Sequence, residues 1–179
     1  MRLSGGGHEA MSCDLLPTEL PGPHYQGDVR DVLDYPWDLM IAHPPCTDIA
    51  VSGAAWFKEK RLDGRQQAGV SFFMKLAKAD IPKIAIENPV CIMSKIWRKP
   101  NQIIHPYMFG HAEQKTTCLW LKNLRPLLPT NDVHQEMMAF PKSQRERLHY
   151  LSPSADRGKL RSATYQGIAD AMAEQWGFM

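Results

Sequence analysis

Trp37-Asp38-Leu39-Met40-Ile41-Ala42 runs into His43-Pro44-Pro45-Cys46, and Lys83-Ile84-Ala85-Ile86 runs into Glu87-Asn88-Pro89. Each is a short apolar run stopped by proline, the pattern of a buried strand that ends in a polar loop. Between them, over Arg65 to Ala79, the apolar residues Ala68, Phe72, Phe73, Leu76 and Ala77 recur at three and four, which predicts a helix with one buried face. Strand, helix, strand is the crossover that joins parallel strands. In open α/β sheets ligands gather outside the carboxyl ends of such strands, and Cys46 and Glu87 both fall there.

Outward from this unit, His8 to Cys13 reads as a short strand ending at Asp14, and Thr116 to Leu121 as a further strand. Ser143 and Glu146 have the spacing of a capping box opening a helix through Tyr150. Tyr165, Ile168, Ala169, Met172, Ala173 and Trp176 form the apolar stripe of a last helix that packs into the core. Gly5 to Gly7 read as a flexible start. The fourteen prolines are spread as punctuation and no repeat is evident, so residues 1–179 are expected to form a single α/β domain.

A hydrophobic fraction of 44% and a charged fraction of 22% are ordinary for a folded protein, and a net charge of +2 does not by itself announce a nucleic-acid partner. Lys58, Lys60, Arg61 and Arg65 cluster, as do Arg157, Lys159 and Arg161; taken alone, each cluster reads as a solvated face. The four cysteines form no C-x-x-C pair, and neither a secretory signal nor an apolar run of bilayer length is evident. A cytoplasmic protein with no membrane segment is expected. No metal site is expected either, since neither the cysteines nor the seven histidines supply closely spaced ligand pairs.

A thiol on a turn after a buried strand opens onto a cleft, where helix termini or cations lower its pKa toward a reactive thiolate, and Cys46 holds that position. Glu87 ends a strand beside an amide and a proline, where partial desolvation lets a carboxyl keep a proton and donate it to a ring nitrogen. Pro44-Pro45-Cys46 followed by Glu87-Asn88-Pro89 resembles the catalytic pair of the C5-cytosine DNA methyltransferases. Stretches such as Cys13-Asp14-Leu15-Leu16-Pro17 and Ile86-Glu87-Asn88-Pro89 are similar to those of small phage-type members. The resemblance implies a Rossmann-like class I methyltransferase fold, a mainly parallel sheet with helices on both faces. It also implies S-adenosylmethionine as cofactor and DNA as partner. Cys46 would be the nucleophile toward cytosine C6 and Glu87 the acid that meets the base edge, with Asn88 and Pro89 beside it. Thr47 to Lys60 would be a mobile loop closing over the base, and its basic Lys58 and Lys60, with Arg61 next to them, would meet the substrate's phosphates. On the cofactor side the resemblance places Asp14 at the ribose, Gly27-Asp28-Val29 at the adenine, and Pro44 beside them. Arg161 to Trp176 corresponds to the family's closing helix.

Three departures accompany the resemblance. The family's opening strand, glycine loop and helix have no counterpart ahead of Asp14, so the fold is expected to be N-terminally shortened, with a protein partner or oligomer supplying missing elements. Gln114-Lys115-Thr116 stands where the family carries arginines; Lys115 supplies a charge toward the base but not an arginine fork. Leu121 to Arg161 is too short for a full target-recognition domain. A catalytically inactive, cofactor-free nucleic-acid-binding or interaction domain of the same fold is the alternative. An amino methyltransferase ranks below both, because a cysteine at position 46 is of no use in direct transfer to an amine.

Overall fold

The computed structural model describes residues 8–154 and 157–177; Gly5 to Gly7 lie outside them. In chain order the elements are β1 (Ser12–Asp14), β2 (His24–Gln26), β3 (Leu39–Ala42), a 3-10 segment (Val51–Trp56), α1 (Phe57–Leu62), α2 (Arg65–Ala77), β4 (Lys83–Asn88) and α3 (Met93–Ile96). There follow β5 (Gln102–Ile104), β6 (Thr117–Lys122), α4 (His134–Ala139), α5 (Lys142–Arg145), α6 (Arg157–Ser162) and α7 (Gln166–Gly177). They fall into two compact units. One comprises Arg30–Ile104 and Thr116–Pro126, and the other takes the remaining described residues.

The first unit holds a four-stranded sheet in the order β3-β4-β6-β5. β3 and β4 pair in parallel from Leu39 opposite Lys83 to Ala42 opposite Ile86, as the crossover through α2 requires. β6 runs antiparallel to both of its neighbours, β4 and β5. The sheet is therefore mixed, which corrects the expectation of a mainly parallel one. The physical reason lies in the connections. Only α2 is a crossover helix long enough to return the chain in the same direction; after β4 the next helix is the four-residue α3, and the chain pairs antiparallel instead.

Phe73, fully buried on α2, stands edge-on to Trp120 of β6, with ring centroids 5.3 Å apart and planes at 85°, and also to Trp97 at 5.9 Å. Aromatic pairs favour this arrangement, because a positive ring edge meets a negative face. Ile84, Ile86 and Leu119 complete the core on β4 and β6. The buried face of α2 is carried by Gln66, Phe73 and Leu76, while Ala68, expected on it, is exposed. Gly64, with φ of 82°, supplies the left-handed turn from which α2 starts.

In the second unit β1 and β2 pair in parallel, Ser12 opposite His24 through Asp14 opposite Gln26. α7 buries Ile168, Ala169, Ala171, Met172 and Trp176, so the core stripe expected there forms, with Ala171 more buried than Ala173. A polar node sits beside it. Tyr165 donates its hydroxyl to Glu113 Oε2 at 2.8 Å, and Arg147 Nη2 donates to both Glu113 oxygens at 2.9 and 3.2 Å. Burial, followed by the Glu113 contact, pushes the Tyr165 phenol well above its ordinary range. The capping box expected at Ser143 is not made. Extended Pro141 precedes Lys142, so α5 begins two residues early and ends at Arg145, before Glu146. The single closing helix expected over Arg161 to Trp176 is divided, with α6 ending at Ser162 and α7 starting at Gln166. Among the described residues no helix is long and apolar enough to cross a membrane.

Replacing Phe73 with alanine removes the ring shared by α2 and β6. The expected cost is about 3–5 kcal/mol of unfolding free energy, the usual range for a buried Phe-to-Ala change, read from the urea midpoint. A drop under about 1 kcal/mol would show that this aromatic cluster does not hold the sheet unit together.

Candidate functional site

Because Ala42 lies opposite Ile86, the next positions along the two strands are His43 beside Glu87 and Pro44 beside Asn88. Paired positions in a parallel ladder share a face, and successive ones alternate. His43 and Glu87 meet on one face, with His43 Nδ1 2.8 Å from Glu87 Oε2, at side-chain exposures of 30% and 13%. Asn88, buried on the alternate positions, donates its Nδ2–H to the carbonyl of buried Pro44 at 2.9 Å. Two side-chain bonds thus extend the strand pairing past the last ladder position, and they hold the Pro-Pro-Cys turn in register with Glu-Asn-Pro. When Glu87 is ionised it can only accept, so the imidazole proton sits on Nδ1 and Nε2 is left as an acceptor.

The chain after Cys46 is zipped to the chain after β4. Ile49 and Ala50 donate their amides back to the Cys46 carbonyl at 3.1 and 2.8 Å, Val51 donates to Val90 at 3.0 Å, and Ile92 donates to Ile49 at 3.0 Å. Ala50 and Cys91 form an isolated bridge between these segments. Lys60 is the other anchor. Buried on α1, it reaches back to donate its ammonium to the Thr47 carbonyl and lies 3.4 Å from Asp48 Oδ1. A buried ammonium is costly unless paired and hydrogen-bonded, and these partners supply both needs. Gly69 of α2 lets fully buried Ile49 approach closely, since a Cβ there would stand 3.1 Å from Ile49 Cγ2.

The positions singled out in the sequence distribute as follows. Cys46 and Pro44 sit on the turn after β3; Glu87 and Asn88 are the last two residues of β4, and Pro89 opens the turn beyond it. Thr47 to Lys60, expected as a mobile loop, is folded into a hydrogen-bonded turn over Thr47 to Ala50, the 3-10 segment and the first turn of α1. Lys58 and Arg61 are exposed on α1, whereas Lys60 points inward and is spent on the loop. Asp14 and Asp28 belong to the other unit, as does Lys115. There Asp14 ends β1, and its carbonyl accepts from Gly27 N at 2.9 Å, which brings Asp14 next to the Gly27-Asp28 turn after β2. Asp14 Oδ1 accepts from Leu16 N at 2.9 Å, leaving Oδ2 without a partner among the described residues. Lys115 Nζ donates to the Arg161 carbonyl at 3.0 Å. The sequence reading missed the His43–Glu87 contact. Equal offsets past the ends of two strands already assigned as parallel were the signal that could have found it. No set of three or more potential metal ligands occurs among the described residues.

Three of the four thiols lie in this unit, and they differ in environment. Cys46 is half-buried, while Cys91 and Cys118 are buried. Burial pushes the Cys91 thiol up, with Cys46 adding to it, and burial, then Cys91 and Glu87, push Cys118 to about 11. Both buried groups are held as neutral thiols, which are poor nucleophiles. At pH 8, iodoacetamide is expected to modify Cys46 well before Cys91 or Cys118, with Cys118 reacting appreciably only as pH approaches about 11, as peptide mapping would show. Comparable labelling of Cys118 and Cys46 at pH 8 would contradict this ranking. No protein-family model, curated protein or solved structure matches this chain.

Proposed function

We propose that the chain is a small C5-cytosine DNA methyltransferase homologue with a Rossmann-like lineage, in which Cys46 attacks the base and Glu87 protonates it. The observation that carries this reading is the paired strand ends. The Pro-Pro-Cys turn is bonded to the end of β4 through Pro44 and Asn88, and Glu87 is partnered by His43. A pyrimidine C5 is a weak nucleophile until a thiolate adds at C6. In the proposed step the Cys46 thiol loses its proton to solvent, the thiolate lone pair forms the bond to C6, the C5–C6 π electrons shift through the ring toward N3, and N3 takes the Glu87 proton. C5 is thereby made enamine-like. His43, more exposed than Glu87, returns a proton to the carboxyl from solvent through the 2.8 Å contact, which makes it the positioning and relay residue of the pair.

S-adenosylmethionine, when bound, would supply the methyl group. The resemblance would place its ribose and adenine at Asp14 and at the Gly27-Asp28 turn, which adjoin beyond the carboxyl ends of the parallel strands β1 and β2. Reaching a base inside a duplex requires it to be flipped out, and an already unpaired strand removes that cost.

The test is covalent trapping by the full chain on a 5-fluorocytosine oligodeoxynucleotide with S-adenosylmethionine, read as a denaturant-resistant shift. The adduct is expected with the wild type and absent with Cys46→Ser. Glu87→Gln is expected to slow its formation about 10²–10⁴-fold, the range for removal of a general acid, and His43→Ala about tenfold. Salt-sensitive oligonucleotide binding with neither adduct nor cofactor binding would instead assign a cofactor-free nucleic-acid-binding domain.

A further inference from the structure

The segment that leaves Cys46 carries a surface the proposed chemistry does not use. Trp56 is 63% exposed, the only exposed one of the chain's five tryptophans. Among the described residues its ring contacts no other aromatic ring or cation, and its indole N–H has no hydrogen-bond partner. It closes the 3-10 segment that starts at Val51, and α1 begins at the next residue. Val51 and Val90, joined by their backbone bond, are exposed beside the Cys46 loop. The 3-10 segment is broken by a kink at Gly53, so at about 2 Å of rise per residue its five steps place Trp56 no more than roughly 10 Å from Val51, within a few nucleotides along a strand.

The charges around Trp56 are sorted. Arg65 Nη2 takes up both acids of this stretch, Glu59 Oε1 at 2.9 Å and Asp63 Oδ2 at 2.6 Å. Lys60 is turned inward to Asp48. Lys58 and Arg61, one turn apart on the same face of α1, are left exposed and without ion-pair partners among the described residues. An exposed, unstacked indole followed by two uncommitted cations is the make-up of a single-strand nucleic-acid platform, where bases stack on an aromatic ring and cations follow the backbone. Trp and Arg also favour protein interfaces, from which lysine is depleted; the pair of uncommitted cations, with both nearby acids taken up by Arg65, complements a phosphate backbone.

We infer that Trp56 stacks on an unpaired base flanking the one presented to Cys46, while Lys58 and Arg61 meet the adjoining phosphates. This deepens the reading of the Cys46 site and rests on it for the identity of the neighbouring base. Binding through Trp56 needs neither thiol nor cofactor.

The experiment titrates the full chain with a short single-stranded oligodeoxynucleotide containing one cytosine, following tryptophan fluorescence. An oligoribonucleotide of the same sequence distinguishes DNA from RNA as the source of the base. Quenching is expected in the wild type and its disappearance in Trp56→Phe. Trp56→Ala is expected to bind about tenfold more weakly, the usual effect of removing one stacking ring. Replacing both Lys58 and Arg61 with alanine is expected to flatten the salt dependence by about 0.7 for each phosphate no longer neutralised. Quenching that survives Trp56→Phe, or unchanged affinity in Trp56→Ala, overturns the platform even if the Cys46 adduct forms. Self-association abolished by Trp56→Ala, without oligonucleotide quenching, overturns it in favour of a protein interface. Quenching that depends on Trp56 in a chain that never forms the adduct leaves the platform standing and removes the methyltransferase reading.

Discussion

Ala42 opposite Ile86 is the pairing on which the rest of the site depends. The parallel ladder between β3 and β4 has a single register compatible with burying Ile84 and Ile86, because a slip of one residue would turn each strand's apolar set to the other face. With that register set, His43 meets Glu87 and Pro44 meets Asn88. The apolar core therefore determines which polar side chains meet beyond it. The two side-chain bonds in turn brace two proline-containing turns that cannot extend the ladder themselves.

Beyond the strand ends the order of the Cys46 loop comes from a different source, the buried ammonium of Lys60. A lysine whose charge is removed from water must find a carboxylate and a carbonyl, and Asp48 and Thr47 provide them from the same loop. This requirement curls the segment from Val51 onward into helical turns, and the outer face of α1, with Lys58 and Arg61, is turned away from the anchor. One cation organises the loop and two are left for solvent or a ligand. Composition alone cannot make that division, because the three residues are chemically alike in sequence.

How far the fold was legible follows the strength of each local signal. β3, α2, β4, β6 and α7 were all readable, because period and proline punctuation were consistent along each of them. The three-residue strands β2 and β5 were not readable, since segments so short carry no period and exist only through their partners, β1 and β6. Strand direction was legible only where a helix of crossover length intervened, which is why β3 and β4 came out parallel as expected and β6 did not. At the site, the closeness of the two motifs was legible from strand ends. The inward turn of Lys60, the exposed face of Ala68 and the early start of α5 at Lys142 each depended on three-dimensional packing or on one residue's fixed backbone.

The antiparallel course of β6 has a chemical consequence. Its amino end lies at the carboxyl end of β4, which sets Leu119 opposite Glu87 and Cys118 opposite Asn88. Thr117 to Leu121 are all buried, so the strand beside the Glu-Asn motif is a nearly unbroken apolar wall. Glu87 therefore has low-dielectric protein along its strand neighbour on one side and the His43 imidazole on the other, with only 13% of its side chain reaching water. An electrostatic contact in such surroundings is stronger than in solvent, and leaving either partner unpaired is correspondingly costly. The same wall keeps Cys118 a neutral thiol while Cys46, on the open turn, is half-exposed. The mixed sheet therefore packs Cys118 beside the Glu-Asn motif while Cys46, on the turn after β3, stays half-buried, a difference of place and not of residue type.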